Sequence, residues 1–239
     1  MRCESTRKEN EMKTRKGNKV YPLTNAQKLH FYCLKYCPKK QVLNIGASLT
    51  IQVDLDREML KKSIEEAISR CEAMRLRFAE DKEGSTWQYV VKQDDSFVEH
   101  FDFTGWTMEA AQKKMEEWTE TPFPRFDSPM HHIVMIKLPD GFQGIYIAVD
   151  HMTMDSQSLI VFFRDVIELY CHKLYPDEVS YPKEMSSYIK QLQKDLAYED
   201  SSSACQKDRE FFQKLISSSE PVFTDIYGPG KLEKERITK

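Results

Sequence analysis

The stretch "AVDHMTMDSQS" (148–158) joins two segments of different periodicity. Before it, "FQGIYIAVD" sets Ile145, Ile147 and Val149 two apart, which predicts a strand with these three on one face. After it, "SQSLIVFFRDVIELYCHKL" carries Leu159, Ile160, Phe162, Phe163, Val166, Ile167 and Leu169. That pattern predicts a helix central to the core, capped by Asp155 or Ser156. His151 therefore lies just past a strand end, where the chain turns into a helix. A rigid sheet holds a side chain firmly at such a junction while its tip stays accessible. A neutral imidazole titrates near physiological pH and can take a proton from an attacking amine, hydroxyl or thiol. The nucleophile would belong to the substrate, because the chain has no G-x-S-x-G motif of its own. Asp155 has two readings. It orients the imidazole or pairs with an arginine to hold the loop, or it only caps the helix and leaves His151 a boundary histidine. On spacing alone, H-x-x-x-D favours the cap and the boundary histidine.

Upstream, "MHHIVMIKL" and "FQGIYIAVD" predict a β-hairpin around the turn "PDG". His131 and His132 are adjacent there, but residue 136 is Ile136, not an acid, and neighbouring rings on a strand face opposite ways. "TNAQKLHFYCLKYC" starts with the cap Thr24 and repeats Leu29, Tyr32, Cys33 and Tyr36 at helical spacing. His30 in this helix reads as a surface or core-edge histidine. "VLNIGASLTIQV" alternates as a strand, and Asp56 caps a helix with the stripe Leu60, Ile64, Ala67, Ile68 and Cys71. "STWQYVV" and "SFVEHFDF" read as strands. "TMEAAQKKMEEWTE" reads as an amphipathic helix that the prolines of "TPFPRFDSP" terminate. Two more helices are expected near 183–197 and 204–216. The fold class is α/β (α+β), with helices packed on a mixed, largely antiparallel sheet.

The 239 residues carry a net charge of −3 with both signs mixed, which disfavours nucleic acid as the main partner. No apolar run approaches the ~20 residues of a membrane span. The six cysteines are scattered, and only Cys33 and Cys37 stand at close spacing, so no metal site is expected. Free thiols fit a reducing, cytoplasmic setting. Residues 1–19 read as a mobile polar tail, 20–217 as the folded lobe, and 218–239 as a linker or the start of a crossover.

Three stretches together resemble one family. "AVDHMTMDSQS" resembles the HHxxxDG motif of the condensation domains of nonribosomal peptide synthetases, which is shared with chloramphenicol acetyltransferase. "YPLTNAQKLHFYCLKY" is similar to the family's opening S-x-A-Q-x-R-L-W, with Ala26 and Gln27 in register. "SRCEAMRLRF" is similar to its R-H-E-x-L-R-T-x-F, with Arg70, Glu72, Arg75 and Phe78 matching. The resemblance implies one lobe of a chloramphenicol acetyltransferase-like, two-lobed fold with a tunnel between the lobes. Donor and acceptor arrive on the phosphopantetheine of carrier proteins, no further cofactor is needed, and amine attack on the donor thioester gives an amide. His151 is then the catalytic residue, positioning or deprotonating the amine or bonding the tetrahedral intermediate. Asp155 is structural, paired with Arg75 or, as runner-up, Arg77.

The sequence departs from the pattern at several points. Asp150 replaces the first histidine, and a carboxylate beside the base could raise its pKa. Ser156 replaces the glycine, and Cys71 replaces the histidine of R-H-E. The second lobe's motifs are absent, so an excised lobe, a split protein or self-association is expected. A non-catalytic lobe docking carrier proteins or a partner domain is the alternative. A stand-alone coenzyme A-dependent acyltransferase is another, with no phosphate-cradling motif in its favour.

Overall fold

The computed structural model describes residues 14–199 and 203–218. In chain order the elements are β1 (Thr14–Arg15), β2 (Asn18–Pro22), α1 (Asn25–Tyr36), β3 (Asn44–Ile51) and α2 (Arg57–Arg70). Then come β4 (Leu76–Glu80), β5 (Thr86–Val90), β6 (Val98–Asp102), α3 (Met108–Thr119), β7 (His131–Lys137) and β8 (Gln143–Asp150). The helices α4 (Ser156–Leu174), α5 (Tyr188–Glu199) and α6 (Ser203–Ser218) complete the series. The chain divides into two compact units, Met1–Leu192 and Gln193–Lys239. In the second, α6 carries Phe211, Phe212, Leu215 and Ile216 exposed.

The first unit contains two four-stranded sheets, where the sequence pointed to one. One has the order β3-β8-β7-β6, antiparallel except for the parallel pair β6–β7, and is the expected mixed sheet. The other has the order β1-β2-β5-β4 and is antiparallel throughout. Three of its strands escaped the periodicity reading. β4 is buried along nearly its whole length and includes Arg77, so it does not alternate. β1 and β2 form a hairpin turned by Lys16 and Gly17, both at positive φ. Residues 14–19 thus belong to a sheet and not to the expected mobile tail; residues 1–13 and 219–239 lie outside the described residues.

β8 is central and buried on both faces. Ile145, Ile147 and Val149 join Ile133 and Met135 in one cluster with α2 and α4, through Leu60, Ile64, Phe162, Val166 and Leu169. Tyr146 and Ala148 join Val134, Ile136 and Phe103 in the opposite cluster, with Ala111 of α3. Each fully buried Ile or Leu in such a cluster stabilises by roughly 1.5–3 kcal/mol. The β7–β8 turn follows "PDG", with Gly141 at φ +88°.

Two helices bury different faces from those the apolar residues marked. On α1 the stripe Leu29, Tyr32, Cys33 and Tyr36 is exposed, with Tyr36 at 76%, and the buried residues are Gln27 and Leu34. A capping box between Thr24 and Gln27 sets this orientation. α4 packs on α2 and the sheet, yet leaves Ile160 (59%) and Val161 exposed, so it covers the core from one side.

Candidate active site

β8 ends at Asp150, and the turn after it is built by that residue. Its Oδ1 accepts the Met152 N–H at 2.8 Å, and its carbonyl accepts the Thr153 N–H at 2.9 Å and hydroxyl at 2.8 Å. This is the local bonding that suits an Asx residue to a turn. Asp150 is 1% exposed. Burial pushes its carboxyl above the usual carboxylate range, against the pull of the Met152 N–H and of Arg125, whose Nη1 lies 3.8 Å from Oδ2. Asp150 thus has a structural task that a histidine would not perform, and its carboxyl bonds inside the loop.

His151 follows directly. Its N–H donates to the Leu43 carbonyl at 3.0 Å, just before β3. Met152 and Met154, buried in separate clusters, pin the backbone on its far side. The ring is half-buried and lies against the ring of His30 from α1, with centroids 4.6 Å apart and planes tilted by 47°. Among the described residues, these are the two histidines whose ring nitrogens carry no hydrogen bond to a protein group. His131 faces Ser96 at 2.9 Å, His132 faces Glu99 at 3.1 Å, His172 faces the Val179 carbonyl at 2.6 Å, and His100 faces Arg57 at 3.5 Å.

The opening motif supports this loop from below. Gln27 Nε2 donates to the Met152 carbonyl at 3.2 Å, to Gln88 Oε1 at 2.9 Å and to the Tyr188 hydroxyl at 3.0 Å. Gln88 returns a bond to Gln27 Oε1 at 2.8 Å. The network is buried, and its satisfied amides fix α1 against the His151 loop.

The expected pairing of Asp155 with an arginine is not what the structure contains. Asp155 is exposed and is the N-cap of α4; its Oδ1 accepts the Ser158 N–H at 2.8 Å and hydroxyl at 2.7 Å. Those bonds hold its carboxyl below the usual range. At a helix N-terminus backbone N–H groups already compensate the charge, so no cation is required. Arg75 instead donates to the carbonyls of Val91 at 2.5 Å and Lys92 at 3.4 Å. Arg77, 1% exposed, pairs with Asp94 at 2.7 Å and Asp95 at 2.9 Å. Ser156 is exposed in the first turn of α4.

The ion pair that ties the second motif to α4 is a different one. Arg70 forks onto Asp165 through Nε and Nη2, both at 3.0 Å, and its guanidinium lies 5.0 Å from the centre of the Tyr181 ring. Glu72 of the same motif accepts the Ser187 hydroxyl and the Ile189 N–H, both at 2.9 Å, and so anchors the start of α5. Arg125 and His30 were missed from sequence. Arg125 sits in a proline-rich segment without periodicity. His30 had one signal, its place in the opening motif.

No helix among the described residues is long and apolar enough to cross a membrane. No group of three His, Cys, Asp or Glu side chains among them is placed to hold a metal ion.

Comparison with known proteins accounts for this arrangement. A family model described as "Condensation domain" matches residues 17–231. Surfactin synthase subunit 1 of Bacillus subtilis (strain 168) is 26% identical over 228 residues, covering 92% of this chain and 6% of that protein. Tyrocidine synthase 2 of Brevibacillus parabrevis is 21% identical over 173 residues, covering 71% of this chain and 5% of that one. Among solved structures, the starter condensation domain of rhizomide synthetase superposes with a TM-score of 0.73 at 19% identity, over 84% of this chain and 49% of that one. The first condensation domain of the calcium-dependent antibiotic synthetase gives 0.72 at 22%, over 85% and 49%. The chain thus spans about half the length of those solved chains. At these identities the structural likeness shows the fold; the family follows from the match across most of the sequence, and the chain belongs to the condensation-domain family.

Proposed function

We propose that this chain supplies the histidine-bearing lobe for condensation-type acyl transfer. The observation that carries the reading is His151: a half-buried imidazole at a strand end, clamped through its backbone, with ring nitrogens that no protein group among the described residues hydrogen-bonds. The donor is an acyl or aminoacyl thioester on the phosphopantetheine of a carrier protein, and the acceptor is an amine or hydroxyl, by preference an amine on a second carrier. As the C–N bond forms and the C–S bond breaks, the nitrogen loses one proton and the sulfur leaves as a thiolate. His151 takes the proton from the nitrogen and returns it to the sulfur, giving an amide and a free thiol. No resident cofactor enters this balance. The opposite wall of the site comes from a second lobe or from a second copy of this chain. The free thiols of Cys33, Cys37, Cys71, Cys171 and Cys205 suit a reducing, cytoplasmic setting.

The test is amide formation between two loaded carrier proteins, followed by mass spectrometry, with the 239-residue chain alone and with a completing lobe. Product that disappears with His151→Ala supports the reading; product unaffected by that change removes it. The second reading, a docking lobe without catalysis, draws on Asp150 and on the exposed face of α1. Carrier-protein binding without turnover in any combination would favour it.

A further inference from the structure

Two departures from the family's motifs meet at one point in space. Aligned on Ala26 and Gln27, S-x-A-Q-x-R-L-W sets its leucine at His30. The HHxxxDG pattern sets its first histidine at Asp150. Position 150 has lost an imidazole, and position 30 has gained one. The gained imidazole lies against His151, at 4.6 Å between ring centres. α1 is held in the register that brings it there by the buried Gln27 network, which bonds the same loop at Met152.

We infer that His30 is a positioning residue of the His151 site, a second imidazole supplied by α1 that packs on the His151 ring and fixes its orientation. This deepens the acyl-transfer reading and rests on it. Three observations support it. The two rings touch, neither is hydrogen-bonded to a protein group among the described residues, and both are half-buried. Burial and His151 hold His30 below the usual histidine range, while Asp150 pulls it upward. The other charged groups facing the pair are Arg125, which contacts Asp150 from the segment after α3, and Asp155 at the start of α4. A leucine at position 30 would offer the His151 ring no planar ring to stack on. His30 gains and loses nothing in the acyl-transfer balance; it acts through His151.

The test is a histidine NMR titration of the full chain with His151→Ala, Asp150→Asn, and two changes at position 30, His30→Leu and His30→Gln. The second keeps a polar side chain in case the first disturbs folding. The His30 midpoint should rise in His151→Ala and fall in Asp150→Asn. In the acyl-transfer assay, both changes at position 30 should lower kcat several-fold with KM little changed, because the His151 ring loses the contact that orients it. A His30 midpoint indifferent to His151→Ala overturns the inference, as does a kcat unmoved by both changes at position 30. Coupled titrations with transfer indifferent to His151→Ala would instead overturn the acyl-transfer reading and leave the ring pair standing.

Discussion

The molecule has two pairs of histidines, and they behave in opposite ways. His131 and His132 are adjacent in sequence, and they look more like a family histidine motif than the proposed site does. They face opposite sides of β7, and each bonds a neighbour: Ser96 at 2.9 Å for His131, Glu99 at 3.1 Å for His132. His30 and His151 are far apart in sequence, yet their rings meet, and among the described residues no protein group hydrogen-bonds their nitrogens. Adjacency on a strand separates side chains; a helix laid across a strand end brings them together. The first pair is bonded into the structure, and the second is the one proposed to meet a substrate.

The largest effects on stability should fall on the first pair. Asp94 faces both Arg77 and His131. Asp94→Ala leaves the buried Arg77 with Asp95 and backbone carbonyls, and should cost about 3 kcal/mol, read as a lower urea midpoint at constant m. A smaller loss would mean that Asp95 and the carbonyls suffice.

Acid should act on the same pair. Burial pushes His131 down to about 4. An unfolded histidine titrates near 6.5, so the unfolded chain binds the extra proton between these values. Stability should therefore rise with pH across that window, and about 3 kcal/mol should be lost as pH falls through it. His131→Gln should flatten the slope there, as followed by denaturation at several pH values. His30→Gln should change it far less, since that ring is only half-buried.

On the second pair the effects on folding should be smaller. Gln27→Leu removes one partner from each end of the buried Gln88 amide, which keeps the Pro22 carbonyl and the Tyr188 hydroxyl, and frees the Met152 carbonyl. A cost of about 2 kcal/mol is expected in a denaturant melt. Asp155→Ala should cost about 1 kcal/mol, the loss of a helix cap, with Asp155→Asn near neutral. Because the Ser158 bonds hold the Asp155 carboxyl below the usual range, this contribution is present above about pH 4 and is lost as pH falls through its folded value. A loss of several kcal/mol for Asp155→Ala would point to a buried ion pair instead of a cap.

What was legible in the sequence follows the range of the interactions. The β7–β8 hairpin, the caps Thr24, Asp56 and Asp155, and the place of His151 are set by neighbours within a few residues, and each was visible as spacing or turn chemistry. The second sheet was not, because β4 is buried through most of its length and shows no alternation. The arginine pairing was assigned to Arg75 by the family resemblance; Asp155 is exposed and needs no cation, and the buried fork joins Arg70 to Asp165 across 95 residues. The His30–His151 contact has no local signature at all. It shows only when two motif departures are placed in the same fold.

The most direct test compares the two pairs in one assay. Acyl transfer between loaded carrier proteins should fall by about 10²-fold or more in His151→Ala. In His132→Ala it should stay within about twofold, since that ring bonds Glu99 and packs on Trp118 away from the loop. Equal losses in the two variants, or transfer that survives His151→Ala, would contradict the account.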